Sequence, residues 1–347
     1  MYPAKNGQRA TTNLDVAHHA GVSRAAVSKV LRNAYGVSPA MKQRVEAAIA
    51  ELDYHPSVAA RTMRGASFTI GIEMPAVDNP FLSEVVDGAA EALETTGYQL
   101  IIAPTRVDTQ SPQALQALHD RQVDGIIAIA PLAQAEWLEQ LAGRVSLVML
   151  GRHDEDAPYD AVVCNDDMGT SLALEHLYDL GHRRIAHLTR SEEVTDLTTR
   201  SPHAVRLRQY LKFMEDKGLG AHAQILRTNS RELEARSVVL DALKSAGGRP
   251  TAIFAGNDEL ALGALHAVHE LKLKPSDVSV VGYDDIEMAS HPALSLTTID
   301  QHGKAMGFAA AKMLLERIAG RSVPRKYVSQ PVLRVRESSA RPARSQD

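Results

Sequence analysis

One cysteine, Cys164, in 347 residues leaves no internal disulfide framework and no Cys-x-x-Cys metal pair. Long apolar runs are missing as well, since none approaches the roughly 18 residues of a membrane helix. The N-terminal stretch has no apolar h-region and no small-residue cleavage site, so the expected location is the cytoplasm. H-E-x-x-H, P-loop, G-x-S-x-G and G-x-G-x-x-G signatures are all absent, and so neither an enzyme, nor a cofactor, nor a metal site is expected. The 14 histidines are scattered. His18, His19, His182 and His187 are expected at the surface or packed rather than as ligands. The 22 Gly and 16 Pro show no collagen-like or low-complexity bias. What remains is 44% hydrophobic and 23% charged, enough for a sizeable core divided over two or three domains.

The net charge of −4 is unevenly distributed. Residues 1–66 hold nine basic groups against four acids, a net +5, which leaves −9 on the remainder. A basic module on an acidic body suggests that the module meets a polyanion.

Within that module, Thr12 and Asp15 form a T-x-x-D capping box that opens a helix with Leu14, Ala17 and Ala20 on one face. Gly21 ends it. Ser23 caps a second helix that turns Ala26, Val27, Val30 and Leu31 inward and leaves Arg24, Ala25, Ser28, Lys29 and Arg32 outside. Ser38 and Pro39 open a third, with Met41, Val45, Ala48, Ile49 and Leu52 at helical spacing. Three short helices with a glycine corner match a helix-turn-helix module, whose second helix enters the DNA major groove.

The runs LDVAHHAGVSRAAVSKVLRN and VSPAMKQRVEAAIAELDYHPSVAARTMRG resemble the headpiece and hinge of the lactose-repressor (LacI/GalR) family of bacterial transcription regulators. The resemblance implies that Arg24, Ala25 and Lys29 read bases. Arg and Lys donate to guanine O6 and N7, while Ala25 offers an apolar contact to a thymine methyl. Thr12, Ser23, Ser28 and Arg32 suit phosphate oxygens, which position the module without reading sequence. Residues 57–64 lie between Pro56 and Gly65 and are too few for a stable isolated helix, so they are expected to order only on a support. The resemblance makes them a hinge helix that pairs with its dimer mate in the minor groove, with Met63 as the intercalating wedge.

From Phe68 onward, β-type runs (FTIGIEM, YQLIIAP, VDGIIAIAP, VSLVMLG, RRIAHLT, TAIFAG, VSVVGYDD) alternate with amphipathic helical stretches, as in parallel α/β sheets. TAIFAGNDELALGAL, VSVVGYDD and LTTIDQ resemble the effector core that the family shares with type I periplasmic sugar-binding proteins. The implied fold is α/β: a helix-turn-helix headpiece over 1–56, a hinge helix and linker over 57–66, and a two-lobe effector and dimerisation domain over 67–338. One lobe comprises about 67–165 and 300–325, the other about 166–299 and 326–338. Residues 339–347 carry no leucine heptads and are expected to be a disordered tail.

Ligands in α/β folds sit beyond the carboxyl ends of the strands. On the family pattern Arg208, Asn257, Asp284 and Gln301 line the cleft, and Phe81 and Arg152 approach it from the first lobe. Fork donors, an amide and an acceptor suit a hydroxyl-rich solute. Asp258 is expected to cap the following helix. Leu211 replaces the family's usual glycine three residues after the arginine, and Gly151 replaces an aspartate found before Arg152. The expected function is a ligand-responsive repressor of carbohydrate or related metabolic genes. It would bind a pseudopalindromic operator in double-stranded DNA as a homodimer and answer to a sugar or sugar-like effector, or to a nucleoside or purine, with no membrane partner. The alternative is a solute-binding protein of a transport system, which the helix-turn-helix module opposes.

Overall fold

Three short helices make the core of the first unit, Met1–Ser67: α1 (Asn13–Ala20), α2 (Arg24–Leu31) and α3 (Pro39–Glu51). The structure, a computed structural model, describes residues 11–31, 35–54, 67–75, 77–105, 112–228, 232–245 and 248–343. Eight-residue helices are marginal by themselves, and here caps and packing supply the difference. Thr12 and Asp15 form the reciprocal cap of α1, and Gly21 ends that helix at φ 63°. The Ser23 hydroxyl accepts from Ala26 N at 3.1 Å, and Ser38 from Met41 N at 3.3 Å. Val16, Ala17, Ala20, Val27, Val30, Val45, Ala48 and Tyr54 form the core. Leu14 departs from expectation. It is 40% exposed, and Val16 takes the inward place because Val16, Ala17 and Ala20 share the face turned to α3. The hinge, with Met63, lies outside the described residues, as does Arg32.

The second unit, Phe68–Asp347, is a pair of parallel α/β lobes. Its strands are β1 (Thr69–Met74), β2 (Gln99–Pro104), β3 (Gly125–Ile129), β4 (Ser146–Leu150), β5 (Asp160–Cys164), β6 (Ile185–Arg190), β7 (Gln224–Thr228), β8 (Ala252–Ala255), β9 (Ser279–Val281), β10 (Thr298–Asp300), β11 (Lys326–Ser329) and β12 (Val332–Arg334). Its helices are α4 (Pro80–Leu93), α5 (Gln113–Asp120), α6 (Ala135–Ala142), α7 (Asp166–Leu180), α8 (Glu192–Thr195), α9 (Pro202–Asp216), α10 (Glu232–Lys244), α11 (Asp258–Glu270) and α12 (Gly303–Ile318). The first lobe carries a six-stranded sheet in the order β11-β5-β4-β3-β1-β2, and the second a four-stranded sheet in the order β7-β6-β8-β9. Both are parallel throughout, so in each lobe every strand ends at the same edge. β10 and β12 pair antiparallel where the chain passes between lobes.

Central strands are buried on both faces, as β3 shows at all five positions. In the first lobe, α4 and α12 cross so closely that a methyl group on Gly88 would meet the Lys304 carbonyl, and one on Gly307 that of Val85. Two expected boundaries move. β11 pairs with β5, so the last crossing follows Ser329 rather than residue 325. The tail is ordered through Ala343: Ser338 Oγ donates to Val280 O at 2.6 Å, His182 Nε2 meets Ala340 O at 3.0 Å, and Ala343 N donates to Ser276 O at 2.9 Å. A polar segment with too little apolar surface for a core is held here by hydrogen bonds to the sheet it crosses. No helix among the described residues is long and apolar enough to cross a membrane.

Glu73 interrupts the apolar pattern of β1. It is 2% exposed, and its Oε2 has no hydrogen-bond partner among the described residues. Burial pushes its carboxyl up from 4.5 to about 7, against the hydrogen bonds to Thr105 and the Ile129 backbone. The fold therefore favours the neutral acid. This contribution is full below the unfolded value near 4.5 and is lost as pH rises through about 7. Glu73→Gln is expected to be more stable than wild type at about pH 8, by up to about 3 kcal/mol, with most of the difference gone at about pH 5. Thermal unfolding of both proteins at the two pH values checks this, and an equal difference at both would show that Glu73 stays ionised.

Candidate DNA-contact surface and effector cleft

In the first unit, α2 turns Val27 and Val30 inward, which leaves Arg24, Ala25 and Lys29 exposed. Ala25 and Lys29 are one turn apart and share a face. The candidate phosphate residues stand at helix starts or beside them. The Thr12 hydroxyl donates to Asp15 Oδ2 at 2.6 Å, Ser23 serves as the α2 cap, and Ser28 accepts from Asn13 Nδ2 at 3.2 Å. His19 meets Glu51 at 2.6 Å and ties α1 to the end of α3.

In the second unit, a polar cluster forms where β8, β9 and β10 end, and Arg206 organises it. Its Nε donates to Asp166 Oδ1 at 2.7 Å, Nη1 to the Gly256 carbonyl at 2.6 Å and Nη2 to Gln301 Oε1 at 3.3 Å. The guanidinium lies 3.6 Å from the centroid of the Tyr283 ring. Gln301 Nε2 donates to Asp284 Oδ1 at 2.6 Å. Burial opposes the charge of Asp166, but Arg206 and His153 hold its carboxyl below the usual range. Asp166 in turn keeps Arg206 charged despite burial. Burial pushes Asp284 well above the usual carboxylate range, with Arg206 and the Gln301 amide acting against it. Asp284 and Asp285 have φ of 132° and 57°, a region that side chains other than glycine rarely adopt, so this turn is strained.

The arginine of the cluster is Arg206, where the sequence reading expects Arg208. Arg208 is about half exposed and pairs loosely with Asp167 at 3.7 Å. Helical spacing carries the signal: Arg206 lies one turn before Tyr210 and two before Phe213, both buried, whereas Arg208 shares its face with exposed Leu211. Leu211 therefore sits on the outer face of α9. The cap of α11 falls to Asn257 rather than Asp258. Asn257, extended at φ −159°, caps α11 by accepting from Leu260 N at 3.0 Å. Asp258 instead accepts from Ile286 N at 3.0 Å and from the Thr298 hydroxyl. Asn257 remains 7% exposed beside Gly256.

From the first lobe, Phe81 packs at the start of α12, close enough to Gly303 that a side chain there would strike its ring. Arg152 is buried and bound within its own lobe, to Asp154 Oδ2 at 2.6 Å and to the carbonyls of Pro131 and Ala133. Its neighbour His153 makes the crossing instead. His153 Nε2 meets Asp166 Oδ2 at 2.7 Å, and its backbone N donates to the Arg200 carbonyl at 3.0 Å. Sequence reasoning passes over His153, Asp166 and Tyr283. Of the three, Asp166 carries a signal, because an acid in the first turn after Asn165 is marked as helix-start chemistry and nothing more.

Two family models match the chain: bacterial regulatory proteins of the lacI family over residues 13–57, and the periplasmic binding protein-like domain over residues 174–339. The ribose operon repressor of Escherichia coli (strain K12) is 34% identical over 334 residues, covering 94% of this chain and 99% of the relative. Among solved structures, the lac repressor dimer bound to operator and an anti-inducer aligns with a TM-score of 0.82 at 27% identity, over 96% of this chain and 100% of that one. A LacI family regulator from Enterococcus faecium with bound ribose aligns with a TM-score of 0.68 at 28% identity, over 79% of this chain and 100% of that one. The transport-binding alternative falls, since repressors match headpiece and body together. This chain belongs to the LacI family, and is a DNA-binding transcriptional regulator with a periplasmic-binding-protein-like effector domain rather than an enzyme.

Proposed function

We propose that this regulator is a cytoplasmic, dimeric repressor whose affinity for a pseudopalindromic operator is set by a pentose, ribose or a close relative, held between the two lobes. The observation that carries the reading is the convergence of Arg206, Gln301 and Asp284 beyond the strand ends. Together they offer fork donors, an amide of both polarities and an acidic group, which suits a small hydroxylated ring. Asn257 and Phe81 flank that place, and Arg152 stiffens the first-lobe wall. The relatives named for ribose, and the neighbour with ribose bound, support the choice of pentose. Thermal-shift titration against ribose, xylulose, glucose, adenosine and hypoxanthine tests it, since a ligand raises apparent stability by RT ln(1 + [L]/Kd). A purine that stabilises the protein where pentoses do not would overturn it.

Arg24 and Lys29 are assigned to base edges, Ala25 to a thymine methyl, and Thr12, Ser23, Ser28 and Arg32 to phosphates. A single headpiece makes few base contacts, and a two-fold dimer doubles them. Lys29→Ala and Arg24→Ala should each weaken operator binding by about 1 to 3 kcal/mol and relax preference at one symmetric pair of positions, unlike Arg44→Ala on α3. Selection from a random-site library checks the assignment, and unchanged logos for both mutants would refute it.

Within the effector site, Arg206→Ala should abolish the effector response while leaving operator affinity of the unliganded protein within a few-fold. Arg208→Ala, on the opposite face of the helix, should leave both intact. Operator titrations with and without ligand decide between the two arginines.

For the hinge, assigned to residues 57–66, Met63→Ala should reduce DNA bending and specific affinity while the salt-dependent attraction of the basic headpiece persists. Bend angles from circular-permutation mobility shifts provide the check, and wild-type bending in the mutant would make the hinge a passive linker.

A further inference from the structure

Arg206 has five N–H groups in a planar fork, and each of its three nitrogens is already engaged: by Asp166, by the Gly256 carbonyl and by Gln301. Tyr283 covers one face. Three of the five N–H groups are therefore spent, and the carboxylate of Asp166 already balances the positive charge that a two-point grip on phosphate or carboxylate would draw on. Arg152 of the first lobe is committed in the same way. Arg152 is paired with Asp154 at 2.6 Å, and Arg200 stands 4.0 Å from the other oxygen of that carboxylate. Asp284 adds no cation and accepts from Gln301 Nε2.

We infer that Asp166 is the specificity-determining residue of the effector site: by holding the charge of Arg206 in a buried pair, it makes the site accept an uncharged hydroxylated ligand and reject the phosphorylated form. The inference rests on the effector reading proposed above. A phosphate ester near neutral pH brings close to two negative charges. In a site shielded from water, their repulsion by the Asp166 carboxylate is stronger than at the surface. Hydroxyls carry no such charge, and they need the single donors and acceptors that Arg206 and Gln301 retain.

The test uses the full-length chain and three probes: D-ribose, D-ribose 5-phosphate and inorganic phosphate. Wild type should bind ribose at least about 100-fold more tightly than its 5-phosphate and show no thermal shift with inorganic phosphate. In Asp166→Asn the ratio should fall below about 10-fold, and inorganic phosphate should stabilise the protein. Asp166→Glu keeps the charge and should keep the rejection. Asp167→Asn, next along α7 but exposed, should behave as wild type. Circular dichroism melting shows whether each variant folds, and Asp166→Ser replaces the asparagine variant should that one unfold. Equal binding of both sugars by wild type, phosphate stabilisation of wild type, or a charge-removing variant that still rejects phosphate would each overturn the inference. Failure of ribose itself to bind would defeat the pentose reading alone, because the inorganic phosphate comparison still decides the role of Asp166.

Discussion

A guanidinium taken out of water must be surrounded by acceptors, and the cleft of this regulator is arranged around that requirement at Arg206. Removing either partner of a buried ion pair typically costs about 3 to 5 kcal/mol, because the other charge is left uncompensated. Asp166, 1% exposed, is therefore fixed by Arg206 as much as Arg206 is fixed by it. Tyr283 beneath the guanidinium needs Gly169 on α7, where any side chain would strike its hydroxyl. α7, α9 and the end of β9 are thereby held together at the cleft by one cation and the groups that tolerate it.

Parallel topology explains why these groups meet. In a parallel sheet every strand delivers its carboxyl end to the same edge, and each following helix starts there. Arg206 near the start of α9, Asn257 after β8, Asp284 beyond β9 and Gln301 after β10 are separated by up to 95 residues in sequence and brought together at one rim. The strained turn at Asp284 and Asp285 turns one carboxyl toward Gln301 and the other toward Arg336, at 2.6 Å in each case.

The seven apolar runs were legible as strands, six of them because burial on both faces demands near-continuous hydrophobic residues, while the run of β2 stayed apolar at a more exposed sheet edge. β5, buried at all five positions, is an exception that was passed over, and β7, β11 and β12 went unread for another reason. They lie at sheet edges or in the two-stranded pair, are short, and read as polar loops because one or both faces meet water. The misplaced arginine has a simple geometric cause: two residues along an α-helix are about 200° of rotation. A motif aligned two positions late moves the side chain from the buried face to the opposite one. Asn257 and Asp258 show the finer limit. Either could cap a helix, and only the extended backbone at Asn257 decides between them. Long-range partners such as His153 left no local mark, since nothing in the chain between them signals that its ring meets Asp166, 13 positions on.

That last contact bears on how a ligand can act at a distance. Asp166 gives one oxygen to Arg206 in the second lobe and the other to His153 in the first. A ligand that draws on Arg206 therefore acts on a carboxylate that also secures the opposing lobe. Ligand and lobe arrangement are then coupled through a shared acceptor, and the coupling is reciprocal, so an arrangement that strengthens the His153 contact changes affinity for the ligand by the same factor. Its size is bounded by the difference in the ligand's affinity for the two arrangements, however tightly it binds either one. Tight binding alone does not make an effector. What matters is whether the interactions around Arg206 differ between the lobe arrangements, and a charge shared across the cleft is a direct way to make them differ.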